Sequence, residues 1–117
     1  EKSFKTAFSP EPVCDNFAVK GGGDFALSSK SFIKTSEDLI FAISSAPSVV
    51  GREKELKLPI GVLFGEDDEI LDAKLHGEKF SELTGAELKI LPNRGHMLPL
   101  TEPEECAEFI QGIMKKI

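Results

Sequence analysis

The chain has 117 residues, of which 40% are hydrophobic and 29% are charged, and its formal net charge at pH 7 is −6. This composition is neither that of a disordered chain nor that of a membrane-embedded one, and no segment reaches the roughly 18 apolar residues of a membrane span. Because an acidic surface repels phosphate backbones and anionic lipids, the charge argues against binding to nucleic acid or to a membrane surface.

The two cysteines lie far apart in the sequence. Cys14 and Cys106 do not form a CxxC pair, and the two histidines are not spaced with them as zinc ligands. The sequence therefore predicts reduced thiols in a cytoplasmic protein rather than a disulfide or a zinc site.

Residues 1–57 contain short apolar patches, serine-rich segments and a glycine run. Pro10 and Pro12 bar a helix and the glycines at 21–23 free the backbone, so residues 9–28 are predicted to form an ordered loop. Phenylalanines within and beside this loop indicate that it lies across an apolar surface. They are Phe8, Phe17 and Phe25.

A helix is predicted from Ser29 to about Ser45, because apolar residues recur there at spacings near 3.6. These residues are Phe32, Ile33, Leu39, Ile40 and Ile43. Pro47 either ends this helix or begins a second short one. The charged run at 52–55 is predicted to be a solvated helix end or a linker.

Residues 58–117 alternate strand and helix patterns. Residues 58–64 form an apolar run without polar alternation, which is typical of a parallel strand covered on both faces. Residues 86–91 alternate and predict a second strand nearer the sheet edge. Between them, residues 73–83 predict a helix capped by Asp72. Its inward-facing residues are predicted to be Leu75, Phe80 and Leu83.

The last helix has the clearest signals. Thr101 and Glu104 have the spacing of a capping box, Pro103 suits the first turn, and the lysines at 115–116 suit the C-terminal end of the helix dipole. One apolar stripe is predicted along it. Its members are Cys106, Phe109, Ile110, Ile113 and Ile117.

The order strand, helix, strand, helix predicts a βαβα unit whose two parallel strands are joined by a right-handed crossover. Two strands alone cannot cover both faces of the first one. We therefore expect this part to pack on more sheet, and we expect an isolated chain to form a homo-oligomer through the edge and apolar face of residues 60–64.

Two polar loops follow the predicted strands, at residues 65–70 and 93–97. Both emerge at the carboxyl ends of parallel strands, which is the edge where α/β sheets place their sites. A carboxylate from the first loop is therefore expected to reach the imidazole of His96 in the second. Such a carboxylate fixes the tautomer of a histidine that acts as a general base.

These residues resemble the C-terminal end of the α/β-hydrolase superfamily. In that family a strand ending in Gly-x-x-Asp supplies the acid of a catalytic triad, and a Gly-His after the last strand supplies the base. The sequence Gly-Glu-Asp-Asp at 65–68 puts Asp68 in the acid position, and the Gly-His at 95–96 puts His96 in the base position. The resemblance covers about half of the chain, residues 58–117.

The resemblance implies a parallel α/β-hydrolase sheet of which residues 58–117 are the C-terminal βαβα portion. Residues 1–57 would be the helical end of the cap that such enzymes insert before the acid strand. The nucleophile elbow, usually Gly-x-Ser-x-Gly, does not occur in this sequence. The family order is nucleophile, acid, base, so the nucleophile and the N-terminal half of the core are expected upstream of residue 1.

The implied function is a hydrolase in which the intact protein cleaves an ester or related bond of a small apolar substrate, without a metal or an organic cofactor. His96 and Asp68 are the implied catalytic residues, and the chain alone is expected to be inactive.

Several alternatives stay open. Asp67 is the alternative acid, and His96 is an ordinary loop histidine if the resemblance is fortuitous. The whole protein is alternatively a non-catalytic binding member of the fold, or the chain is a small self-standing interaction domain.

Overall fold

The computed structural model describes residues 2–22 and 28–117. Gly23 and Phe25 of the predicted loop lie outside the described residues. The fold is mixed α/β with a two-stranded parallel sheet. The chain divides into two compact units. One comprises Glu1–Val13 and Glu53–Ile117, and the other Cys14–Arg52.

The sheet of the first unit consists of β1 (Gly61–Gly65) and β2 (Glu87–Leu91). The strands are parallel, and their register pairs Gly61 with Glu87 at one end and Gly65 with Leu91 at the other. This confirms the predicted parallel pairing. β1 begins three residues later than predicted, after Pro59, which has no N–H to donate to a sheet ladder.

The crossover between the strands begins with a π-helical segment, Ala73–Glu78, and continues as α4 (Lys79–Thr84). The predicted cap is confirmed, because Oδ1 of Asp72 accepts the backbone N–H of Leu75 at 2.7 Å. The crossover packs closely on the sheet at Gly77, which is buried, and a Cβ atom there would lie 2.9 Å from the ring of Phe64.

Two of the residues predicted to face inward from the crossover do not. Leu75 is 60% exposed and Leu83 is 38% exposed, whereas Phe80 is half-buried. The π-helical segment departs from the regular 3.6-residue period assumed for residues 73–83, so that period is not a valid guide to the buried face here.

After β2 come a short helix, α5 (Leu98–Thr101), and the last helix, α6 (Pro103–Met114). Pro103 takes the first position, as predicted, but the capping box is wrong. Thr101 is the last residue of α5, and its hydroxyl donates to the carbonyl of Met97 at 3.3 Å. Glu102, which precedes α6, makes no side-chain cap bond. The polar loop predicted at residues 93–97 ends where α5 begins, at Leu98.

α6 packs against β1. A Cβ atom on Gly61 would lie 2.6 Å from the Cγ1 atom of Ile113, so the absence of a side chain on Gly61 allows this approach. The predicted stripe is partly correct. Cys106, Phe109 and Ile113 are half-buried, whereas Ile110 is 57% exposed and Ile117 is 91% exposed. Ile117 lies beyond the end of the helix at Met114 and so does not extend the stripe.

Three hydrophobic residues are buried among the described part of the chain, namely Phe8, Leu91 and Leu98. Phe8 is the last residue of α1 (Lys2–Phe8), which belongs to the same unit as the sheet. Leu91 ends β2, and Leu98 begins α5. The best-buried residues therefore include the two that flank the loop carrying His96.

The second unit contains α2 (Phe17–Lys20) and α3 (Ser29–Ser45), followed by a 3₁₀ turn at Ala46–Ser48. The prediction of α3 is confirmed, and Ser28 caps it by accepting the N–H of Ser31 at 3.2 Å. The prediction that residues 9–28 form only a loop is wrong at α2, where the nearest prolines, Pro10 and Pro12, lie too far upstream to interrupt the helical turn.

The apolar residues of α3 remain more than half exposed. Their exposed fractions are 71% for Phe32, 56% for Ile33, 60% for Leu39, 70% for Ile40 and 66% for Ile43. In the ranges that the structure describes, no helix has both the length and the hydropathy needed to cross a membrane.

Candidate functional site

The loops after β1 and β2 meet at the carboxyl edge of the sheet. The backbone N–H of Glu66 donates to the carbonyl of Leu91 at 2.9 Å, and that of Asp67 donates to the carbonyl of Arg94 at 2.9 Å. A Cβ atom on Gly65 would come within 2.3 Å of the carbonyl oxygens of Arg94 and Gly95. Because Gly65 has no side chain, the two loops are joined by direct backbone contacts.

Asp68 and His96 face each other across this junction. Nδ1 of His96 lies 2.9 Å from Oδ2 of Asp68, which is hydrogen-bond distance, although the residues are 28 positions apart. The side chain of Asp68 is 4% exposed and that of His96 is 35% exposed. The carboxylate is therefore held inside the loop junction, while part of the imidazole faces solvent.

Backbone amides hold the other oxygen of the Asp68 carboxylate. Its Oδ1 atom accepts the N–H of Ile70 at 2.7 Å and that of Leu71 at 2.9 Å. Burial opposes ionisation of Asp68, but the hydrogen bonds from Leu71, His96 and Ile70 together outweigh it, so the pKa of Asp68 lies below its ordinary value. An ionised carboxylate is thus aimed at Nδ1.

This contact defines which tautomer of His96 is favoured. An ionised carboxylate only accepts hydrogen bonds, so Nδ1 carries the proton and donates it, and Nε2 is left with its lone pair. Among the described residues, none forms a hydrogen bond with Nε2 of His96. The imidazole is therefore arranged to accept a proton through Nε2.

The structure brings Asp68, and not the neighbouring Asp67, to His96. Asp67 is exposed, and its contact with the second loop is made by its backbone N–H. The catalytic roles of Asp68 and His96 stay predictions, but the juxtaposition on which they depend is present.

Two residues of the site were not identified from the sequence. Oε2 of Glu11 accepts the N–H of Gly95 at 2.9 Å, and the hydroxyl of Ser9 donates to Oε1 of Glu69 at 2.7 Å. Pro10 and Pro12 predict an ordered loop, but nothing in the sequence indicates that this loop contacts Gly95 and Glu69.

An apolar groove of about 400 Å³ adjoins His96. It lies between β1 and the helices α5 and α6, and the residues that line it include Leu63, Leu98, Cys106, Phe109 and Ile113. Burial raises the pKa of the Cys106 thiol, and the carboxylates of Glu102 and Glu105 raise it further. Cys106 is therefore a poor nucleophile despite sharing this groove with His96.

Within the described ranges, no group of three or more His, Cys, Asp or Glu side chains is arranged to hold a metal ion. No protein-family model, no curated protein and no solved structure matches the chain.

Proposed function

We propose that this chain is the C-terminal, acid- and base-bearing part of an α/β-hydrolase whose intact protein cleaves an ester or a related bond of a small apolar substrate. The observation that carries the proposal is the 2.9 Å contact between His96 and Asp68 at the carboxyl edge of a parallel sheet. The acid is buried and bonded to backbone amides, whereas the base is part-exposed, as a proton-transferring pair requires.

In this proposal, Nε2 of His96 removes the proton from a nucleophile as that nucleophile attacks the substrate carbonyl. The same nitrogen then gives the proton to the leaving group as its bond to the carbonyl carbon breaks, and it next removes a proton from the water that hydrolyses the acyl-enzyme and returns that proton to the nucleophile. Asp68 remains ionised, keeps Nδ1 protonated and stabilises the imidazolium that forms between the two steps. The nucleophile is a Ser, or less often a Cys, from a segment upstream of residue 1. Where it is an Asp instead, the carboxylate attacks without losing a proton, and His96 acts only on the water that hydrolyses the intermediate.

The edge and faces of β1 are consistent with further strands of the same core packing against it. β1 has a single neighbouring strand among the described residues, and its apolar residues Val62, Leu63 and Phe64 are only half-buried. A strand without polar alternation is typical of the covered interior of a parallel sheet. The upstream half of the same core would pair with the free edge of β1, and residues 1–57 would be the end of a cap.

The test is made on the polypeptide encoded by the complete reading frame, with short-chain p-nitrophenyl esters as substrates. We expect hydrolysis, labelling by a fluorophosphonate where the nucleophile is Ser, and losses of roughly 10³-fold or more in kcat for His96→Ala and Asp68→Asn. His76→Ala is the matched control, because His76 is an exposed residue of the crossover.

Hydrolysis that survives His96→Ala would contradict the proposal. A Gly or Ala at the elbow position of the complete protein would also contradict it, and would favour a non-catalytic binding protein of the same fold.

A further inference from the structure

We propose that Glu11 is a positioning residue that fixes the backbone from which His96 projects. This inference rests on the proposed function, since it assigns Glu11 to the machinery of the same acid–base pair. It concerns the segment formed by residues 9–11, which lies against the loops of both Asp68 and His96 within one compact unit.

The first support is the hydrogen bond from Gly95 to Glu11. Oε2 of Glu11 accepts the N–H of Gly95 at 2.9 Å, and the Glu11 side chain is 15% exposed. Gly95 is buried and directly precedes His96. A hydrogen bond to a largely buried carboxylate is among the stronger ones in proteins, so it restrains the peptide next to the base.

The second support is the closeness of the two backbones. A Cβ atom on Gly95 would lie 1.9 Å from the carbonyl oxygen of Ser9, so a side chain could not be accommodated. The glycine of the Gly-His motif is therefore needed here because the 9–11 segment lies against it.

The third support is electrostatic. Arg94 lies between two carboxylates: its Nε atom is 3.9 Å from Oε1 of Glu11, and it donates a hydrogen bond to Oε1 of Glu102. The guanidinium partly compensates the charge of Glu11, whose Oε1 atom is buried and accepts no hydrogen bond among the described residues. The arginine before the Gly-His pair thus connects the segment to the start of α6.

The fourth support is on the acid side. The hydroxyl of Ser9 donates to Oε1 of Glu69, the residue after Asp68, at 2.7 Å. Residues 9–11 therefore bridge the acid loop and the base loop. Catalytic groups need to be held to within about 0.5 Å of their productive geometry, and this bridge supplies a restraint that the two-stranded sheet alone does not.

The test uses the 117-residue chain labelled with ¹⁵N-histidine, at a pH where both imidazoles are neutral. The ¹⁵N shifts of His96 report its tautomer. His76, whose Nδ1 lies 3.0 Å from the carbonyl of Asp72, is an internal reference in the same spectrum. Assignment comes from His76→Gln.

We expect wild-type His96 to be the Nδ1–H tautomer. Glu11→Ala should convert His96 to a mixture of tautomers, while Glu11→Gln should restore the wild-type spectrum, because an amide oxygen can still accept the N–H of Gly95. His76 should not change in any variant. Glu82→Ala, on an exposed position of α4, is the control for removal of a glutamate.

An unchanged His96 spectrum in folded Glu11→Ala would overturn the positioning role and leave the proposed function standing. A wild-type His96 without the Nδ1–H tautomer would overturn both, because the acid–base pair itself would be absent. If circular dichroism shows that Glu11→Ala does not fold, the His96 spectrum is compared for Glu11→Asp, whose side chain is one methylene shorter. A mixture of tautomers in this variant supports the positioning role, and an unchanged spectrum overturns it.

Discussion

A Cβ atom on Gly65 would lie 2.3 Å from the carbonyl oxygen of Arg94, so the end of β1 and the loop after β2 are in direct backbone contact. This contact sets the separation of the two loops that carry Asp68 and His96. The carbonyl oxygen of Gly95 would lie equally close to that Cβ atom. Because both oxygens belong to the backbone, no side-chain rotation can relieve a clash at this position.

Gly65→Ala should therefore destabilise the fold by roughly 1–3 kcal/mol, the usual cost of overpacking. Gly112→Ala is the matched control, because Gly112 lies in α6 and a Cβ atom added there would meet nothing within 4 Å. That variant should gain about 0.5–1 kcal/mol from helix propensity. Urea unfolding measures the stability of both variants. Equal free energies of unfolding for Gly65→Ala and Gly112→Ala would contradict the close approach of Gly65 to the loop after β2.

Stability should depend on pH through Asp68. The folded-state pKa of Asp68 is lowered, so its contribution to the free energy of unfolding is complete above the unfolded-state pKa and is lost as the pH falls through the folded-state pKa. From about pH 5 downward, the free energy of unfolding should therefore fall more steeply with decreasing pH in wild type than in Asp68→Asn. Asp67→Asn removes an equal charge from the same loop and serves as the control. Parallel wild-type and Asp68→Asn curves would contradict the buried, hydrogen-bonded carboxylate.

The two thiols should react at different rates. Both cysteines are free, Cys14 is exposed and Cys106 is half-buried. Since the pKa of Cys106 is raised, less of it is thiolate in mildly alkaline buffer. Iodoacetamide should alkylate Cys14 several times faster, as followed by peptide mass spectrometry, and the difference should shrink in urea. In a Cys14→Ser variant, Cys106 is the only thiol left to react. Rapid alkylation of this variant in its folded state would contradict the prediction.

The isolated chain should self-associate. β1 has an unpaired edge among the described residues, and the groove beside α6 is open and apolar. Ile110 lines this groove and is 57% exposed, so Ile110→Glu should weaken association without unfolding the chain. Gln111→Glu adds the same charge at the next exposed position of α6 and is the control. Light scattering over a dilution series gives the readout, and a monomer at high concentration would count against the prediction.

The sequence by itself determined the elements whose signals are local. The apolar run before Gly65, the cap at Asp72, the 3.6-residue period of α3 and Pro103 at the start of α6 each depend on neighbours within a few positions. The parallel pairing also followed, since the crossover between the two strands is long enough for a helix. The meeting of Asp68 and His96 was predictable for the same reason, because parallel strands end at one edge.

Only the tertiary structure decided which of two adjacent carboxylates faces His96, because Asp67 and Asp68 differ by one position in a turn whose geometry depends on backbone contacts to Arg94 and Leu91. It also decided that Thr101 ends α5 instead of capping α6, and that Leu75 and Leu83 are exposed on a crossover that begins as a π-helix. Above all, it placed Glu11 against Gly95, 84 positions away. Such contacts arise from packing between segments distant in the chain, and no local periodicity or spacing encodes them.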